Sequence, residues 1–161
     1  MILMNKELTI ALIGNPNCGK TSLFNVLTGS RQHVGNWPGV TVERIEGIAR
    51  HNGQNFKIID LPGIYGLSAS SEDEWVAVNY LMNDKPDIVV NVVDSTNMER
   101  NLYLTLQLLE MDINLIVALN MTDEAEKKHI SIDYDKLSGF LATPVVTTVA
   151  TRKNGIDQLL E

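Results

Sequence analysis

The chain has 161 residues, enough for one domain, and its 44% hydrophobic content can fill a full core. A formal net charge of −7 excludes a broad nucleic-acid surface, which needs clustered Lys and Arg. Cys18 is the single cysteine, so no intramolecular disulfide can form and a reducing, intracellular setting is expected.

At the amino terminus Met1 to Met4 is followed too soon by Asn5-Lys6-Glu7 for a signal peptide. No apolar run reaches the roughly 18 residues that span a bilayer, so the chain itself is expected to be soluble. Leu8 to Ile13, apolar and too brief for a helix, predicts a strand, and Ser22 to Thr28 carries Leu23, Phe24, Val26 and Leu27 at helical spacing. Ser30 to Val40, rich in Gly, Asn and Pro, reads as a long loop of the kind that is usually functional. Val42 to Arg50 and Asn55 to Ile59 flank His51-Asn52-Gly53, whose Asn-Gly pair predicts an antiparallel hairpin. Ser71-Glu72-Asp73-Glu74 is a capping box with an acidic first turn, opening a helix that carries Val76, Tyr80 and Leu81. Ile88 to Val93 and Leu115 to Leu119 are near-continuous apolar runs, as strands buried on both faces require, and Pro144 to Val149 is a weaker third. Arg100 to Met111 repeats Leu102, Leu106 and Leu109 as a core-facing stripe, while Asp133 to Leu141 and Asn154 to Leu160 supply further helices. The alternation predicts an α/β fold of the P-loop NTPase type, a single domain over 1–161. Its sheet is expected to be mostly parallel and six-stranded, with one antiparallel edge hairpin and helices on both faces.

Between the first strand and first helix, Gly14-Asn15-Pro16-Asn17-Cys18-Gly19-Lys20-Thr21 fits G-x-x-x-x-G-K-[ST], and Ser22 continues it into the helix. Glycines let successive backbone N–H groups turn onto phosphate oxygens, and the helix adds the positive end of its dipole. Lys20 then supplies charge to the β- and γ-phosphates, and Thr21 offers a hydroxyl to Mg²⁺. In open α/β sheets ligands sit past the carboxyl ends of strands, where two more motifs stand. In Asp60-Leu61-Pro62-Gly63 the acid can hold Mg²⁺ through water, and Gly63 can bring its N–H to the γ-phosphate. In Asn120-Met121-Thr122-Asp123 the Asp123 carboxylate can accept from guanine N1–H and the 2-amino group. Adenine lacks that donor pair, a discrimination on the order of 10⁴-fold, so GTP rather than ATP is expected. The alternative for this motif is a helix N-cap by Thr122 or Asp123.

Together these residues resemble the translation-factor-related class of GTPase domains over essentially the whole chain. The strings from Gly14 to Asn25, from Val34 to Glu43 and from Asp60 to Tyr65 look like the amino-terminal G domain of the ferrous iron transport protein B family. Gly35-Asn36-Trp37-Pro38-Gly39-Val40-Thr41 is the discriminating one. The resemblance implies a GTP/GDP switch that regulates Fe²⁺ uptake at the cytoplasmic face of the cell membrane. In the parent, a helical regulatory domain and a multi-span Fe²⁺-transporting region would follow. Glu161 ends what reads as the last helix, so the chain is expected to be a domain excised from that parent.

The resemblance also implies that Gly39, Val40 and Thr41 belong to the first switch, Thr41 closing on Mg²⁺ and the γ-phosphate only in the GTP state. Asp60 to Gly63 would be the second switch, and Trp37 and Trp75 should report the motion. Ile64 stands where Ras-like enzymes place a glutamine, and isoleucine cannot orient water. The resemblance points instead to backbone groups of the first switch and to K⁺ held by Asn17 with loop carbonyls. Hydrolysis is then expected to be slow and K⁺-stimulated, with Asn17, Lys20, Thr41 and Gly63 carrying catalysis; Asn17 has the alternative of a loop-stabilising hydrogen bond. Met121 replaces the usual lysine over the base. Ala150-Thr151-Arg152 stands for the usual Ser-Ala-Lys loop, with the backbone N–H there expected at guanine O6 and nucleotide release fast. The rivals are a soluble Era-type ribosome-associated GTPase, which predicts a basic RNA-binding extension, and a nucleotide-sensing interaction module with incidental turnover. Homo-oligomer formation is left open. His33, His51 and His129 lack metal-ligand spacing, and Lys127-Lys128-His129 is too short for a nucleic-acid patch.

Overall fold

β1 (Leu8–Gly14) lies at the centre of the molecule because its side chains are apolar on both faces. Ile10 and Leu12 enter one core, Ala11 and Ile13 the other, the period-2 alternation of a strand covered on both sides. A phosphate loop leads from β1 to α1 (Lys20–Thr28), followed by β2 (Gln32–Asn36), β3 (Glu43–His51), β4 (Gln54–Asp60) and α2 (Glu72–Asn79). Then come β5 (Ile88–Asp94), α3 (Met98–Leu109), β6 (Leu115–Asn120), α4 (Thr122–Lys127), α5 (Tyr134–Leu141), β7 (Val145–Thr147) and α6 (Ile156–Leu160). The computed structural model describes residues 7–29 and 31–161; Met1 to Met4 and Ser30 lie outside them.

The strand order is β2-β3-β4-β1-β5-β6-β7. β4, β1, β5, β6 and β7 run parallel, and β3 is antiparallel to both β4 and β2. The expected hairpin forms: Asn52 and Gly53 turn the chain with φ of 49° and 77°, the two positive values that a tight hairpin turn needs. The sheet has seven strands rather than six, because part of the expected loop 30–40 is β2. Its sequence Gln32-His33-Val34-Gly35-Asn36 has no apolar alternation, and four of its five residues are exposed, so only the ladder with β3 defines it.

On α3 the buried residues are Asn101, Leu104, Thr105 and Leu108. The expected stripe is therefore rotated: Leu106 is 55% exposed, and Leu102 and Leu109 are only partly buried. Leucines at 102, 104, 106, 108 and 109 fit two helical faces equally, and the true inner face was masked by its polar members. Thr105 Oγ1 donates to Asn91 Oδ1 (2.5 Å), and Asn101 Oδ1 accepts from the Asp94 N–H (3.2 Å), so both are satisfied inside.

α2 starts as expected, Ser71 Oγ accepting from the Glu74 N–H at 3.1 Å. The reciprocal half of the box is absent: the Glu74 carboxylate accepts from Ser68 Oγ, the Ser70 N–H and Ser70 Oγ instead. The helix ends in a π-turn over Tyr80–Asp84, closed by Lys85 N–H to the Tyr80 carbonyl (3.3 Å). No helix of the described residues is long and apolar enough to cross a membrane.

Candidate nucleotide site

The phosphate loop is shaped by two glycines for different reasons. A Cβ on Gly14 would lie 2.6 Å from the Val92 carbonyl oxygen and 2.7 Å from Cys18 Sγ. Gly19 has φ +87°, and a Cβ there would fall 2.2 Å from Asn120 Nδ2. Gly19 also caps α1 without a side chain, so no capping side chain competes for the first-turn N–H groups. A cavity of about 490 Å³ opens over them, walled by loop residues including Asn15, Pro16, Asn17, Lys20, Thr21 and Ser22, with Gly63 and Met121 opposite. Cys18 fills space beneath: it is 1% exposed, and burial pushes its thiol up to about 11, which keeps it unreactive.

Two carboxamides of this loop are unspent. Asn15 is 4% exposed, and neither its oxygen nor its nitrogen has a hydrogen-bond partner among the described residues. Such an orphaned group costs about 1–3 kcal/mol until something polar meets it. Asn17, at φ 65°, is exposed in the cavity wall and its side chain bonds to no described residue. The loop-stabilising alternative for Asn17 therefore has no counterpart in the structure.

The end of β4 is stitched to the loop. Leu61 N–H donates to the Leu12 carbonyl and Ile64 N–H to the Gly14 carbonyl, each at 3.0 Å. Between them Gly63 comes so close that a Cβ would lie 3.2 Å from Pro16 Cα. Lys20 Nζ, buried, makes a close ion pair with the buried Asp60 Oδ1. Burial raises the Asp60 carboxyl above its ordinary value, and the Lys20 ammonium beside it acts in the opposite direction. Ile64 is 2% exposed and packs into the core, turned away from the cavity.

Asn120, at the end of β6, joins the third motif to the first. Its Nδ2 donates to the Cys18 carbonyl (3.1 Å), while its Oδ1 accepts from the Ala150 N–H and from Thr148 Oγ1 (both 3.1 Å). Its own carbonyl accepts from Ser95 Oγ at 2.5 Å. A second cavity of about 160 Å³ lies beside it, between Gly19, Met121, Asp123 and the Ala150–Thr151 loop. Neither Thr122 nor Asp123 caps α4: the N-cap is Met121, at φ 61° and with no side-chain bond. Asp123 lines the cavity, with Arg152 Nε 3.6 Å from its carboxylate. Thr148, Ser95 and this Arg152 pairing had no signal in the sequence, because short polar residues after strand ends look like ordinary turn residues.

The segment expected to act as the first switch stands off. Gly39, at φ 77°, turns the chain, and Val40 packs against the core beside α2. Thr41 is exposed and donates to Glu72 Oε2 on α2 (3.4 Å); it lines neither cavity next to Lys20.

Three motifs, each past the end of a parallel strand, thus converge on one edge of the sheet, and comparison with known proteins agrees on their origin. The family model described as ferrous iron transport protein B matches residues 8–161. The chain belongs to the ferrous iron transport protein B family. It is 56% identical over 158 residues to the Fe(2+) transporter FeoB of Escherichia coli K12 and, equally, to that of Salmonella typhimurium LT2. In both cases it covers 96% of this chain and 20% of the relative, so the chain spans a fifth of the length of these transporters. Among solved FeoB structures, a variant of S. thermophilus NFeoB bound to GDP aligns with a TM-score of 0.90 at 53% identity, covering 95% of this chain and 60% of that one. The cytosolic domain of L. pneumophila FeoB gives 0.91 at 47%, covering 94% and 61%. The FeoB G-domain of Methanococcus jannaschii gives 0.85 at 50%, covering 96% and 94%. The FeoB fold, a mixed sheet with a phosphate loop, is thus established for this chain.

Proposed function

We propose that this chain is the single G domain of a longer Fe²⁺ transporter, binding GTP and GDP at the cytoplasmic face of the membrane and hydrolysing GTP slowly to regulate uptake. The observation that carries the nucleotide reading is the position of Asn120, which holds the phosphate loop and the Ala150 loop around the Asp123 carboxylate. In this reading Gly14 to Ser22 cradle the phosphates with backbone N–H groups. Lys20 exchanges Asp60 for phosphate oxygens, and Asp123 selects guanine beneath Met121, with Ala150 and Thr151 at its edge. Gly63, already against Pro16, meets the γ-phosphate.

The donors suit the implied cations. Thr21, which lines the cavity beside Lys20, and Asp60, paired with Lys20, offer hard oxygens that would hold Mg²⁺ together with Thr41 in a closed first switch; the ion would spread the charge of the phosphates. The unspent Asn17 carboxamide faces the same cavity and would hold K⁺, a fixed positive charge in the place of an arginine finger. Identity to Fe(2+) transporters over 96% of the chain supports this reading over an Era-type GTPase. Calorimetry with Mg²⁺ tests it: GDP and a non-hydrolysable GTP analogue release heat and ADP does not. Equal binding of ADP would remove the base assignment.

A further inference from the structure

Met121 stands at the junction of the two cavities of the nucleotide site, lining both the larger one over the phosphate loop and the smaller one beside Asp123. Its backbone is pinned there. Asn120 before it is tied to the phosphate loop, and the Met121 carbonyl accepts from the Glu124 and Ala125 N–H groups, each at 3.1 Å, as the chain turns into α4. The side chain therefore stays in the site. Its terminal methyl lies against Gly19, 3.2 Å from where a Cβ on that glycine would stand.

The other methionines of the described residues are placed differently. Met98 and Met111 pack against apolar clusters, while Met82 is 58% exposed in the π-turn after α2 and lines neither cavity. Met121 is half-buried and belongs to no such cluster, so its side chain borders open cavity instead of packed neighbours. Cys18, the other sulfur near the loop, is sealed beneath it.

Resting on the guanine-nucleotide reading above, we propose that Met121 is an oxidation site through which a peroxide disables the empty nucleotide site. The thioether sulfur attacks one peroxide oxygen, an S–O bond forms as the O–O bond breaks, and methionine sulfoxide and water result from hydrogen peroxide. Sulfur is oxidised and the peroxide reduced. The change turns a flexible apolar side chain into a polar one with a strong acceptor oxygen. Because the terminal methyl fills the Gly19 side, that oxygen enters the cavity shared with the Asp123 carboxylate, which accepts hydrogen bonds and has none to donate. Bound nucleotide fills both cavities and shields the sulfur, so the empty domain is the one oxidised.

The chain freed of nucleotide is treated with hydrogen peroxide, its methionines are mapped by peptide mass, and GDP binding with Mg²⁺ is measured by calorimetry. Met121 gains one oxygen and GDP affinity falls about tenfold, the scale of one unmatched polar contact. Methionine sulfoxide reductases for both epimers restore it. GDP present during the treatment protects Met121 but not Met82, whose oxidation is the internal control. In Met82→Leu the loss persists; in Met121→Leu, whatever its starting affinity, peroxide leaves GDP binding where it was. Met121 sulfoxide with undiminished GDP affinity, equal Met121 oxidation with and without GDP, or Met121 untouched while Met82 is converted would each overturn the oxidation site alone. An untreated chain that binds no GDP would overturn the nucleotide reading with it.

Discussion

Asn120 and Cys18 stand 102 positions apart in the chain, yet the Asn120 side chain donates to the Cys18 carbonyl at 3.1 Å. The same carboxamide accepts from the Ala150 N–H, so one side chain spaces the phosphate loop from the Ala150–Arg152 turn. Gly19 can pass between them only because it lacks a Cβ.

Asn120→Ala is expected to lower stability and guanine-nucleotide affinity together. It leaves the buried Ala150 N–H and Thr148 hydroxyl without their acceptor, at about 1–3 kcal/mol each. Thermal denaturation followed by circular dichroism, with calorimetry of GDP binding, checks this. A variant as stable as the parent would show that these bonds carry no weight.

Gly14→Ala should destabilise the chain by about 1–3 kcal/mol, as overpacking does. The added methyl meets the Val92 carbonyl of the neighbouring strand, which cannot move without breaking the sheet. Denaturant titration gives the value directly, and Gly29→Ala, where a Cβ meets nothing within 4 Å but φ is +60°, separates crowding from backbone strain.

Asp123→Asn should move base preference from guanine towards xanthine nucleotides, because an amide can donate to the xanthine 2-oxygen where the carboxylate accepts from the guanine 2-amino group. The loss for GDP is expected on the order of 10²-fold or more, the cost of an unmatched buried donor or acceptor. Competition between GDP and XDP reads the exchange; unchanged GDP affinity would reassign the base contact.

Hydrolysis should run faster in K⁺ than in Na⁺ at equal ionic strength, and Asn17→Ala should abolish the difference while GDP still binds. Single-turnover phosphate release measures this, and identical rates in both salts would withdraw the cation from Asn17. The stimulation expected from one fixed charge at the phosphates is about 10-fold or more.

Three hydrogen bonds, from Ser68 Oγ first and from the Ser70 hydroxyl and N–H, hold the Glu74 carboxyl below the ordinary value. A carboxyl lowered by folding contributes stability that is fully present above its unfolded value of 4.5 and is lost as pH falls through the lower folded one. Acidification should therefore loosen the loop from Ser68 to Ser71 before the sheet, and Glu74→Gln should show the looser loop at neutral pH. A carbon-detected NMR titration of Glu74 and amide shifts of Ser70 report it. The side chain is on the surface, so the effect on global stability is small.

Much of the fold was legible because its signals are local. The apolar runs of β1, β5 and β6, the Asn52-Gly53 turn and the G-x-x-x-x-G-K-[ST] spacing each act within a few residues. β2 was illegible, since an exposed edge strand carries no burial pattern and exists only by pairing with β3. The inner face of α3 was misread for a related reason: Asn101 and Thr105 look like surface residues until Asp94 and Asn91 are seen to satisfy them. The placement of Asp60 and Asp123 just past strand ends was legible from spacing, whereas the Lys20–Asp60 pair and the fourfold use of Asn120 were not.

The amino-acid order alone determined that this chain would build a parallel sheet around a phosphate loop and put acids after two other strands, because dihedral preferences and periodicity are short-range properties. Tertiary structure alone decided which groups are spent and which are free. Asn120 is committed to Cys18, Thr148 and Ala150, Thr41 contacts Glu72, and among the described residues the buried Asn15 carboxamide has no partner. Hydrogen bonding and desolvation depend on which side chains meet across the sheet, and that is a property of the packed chain.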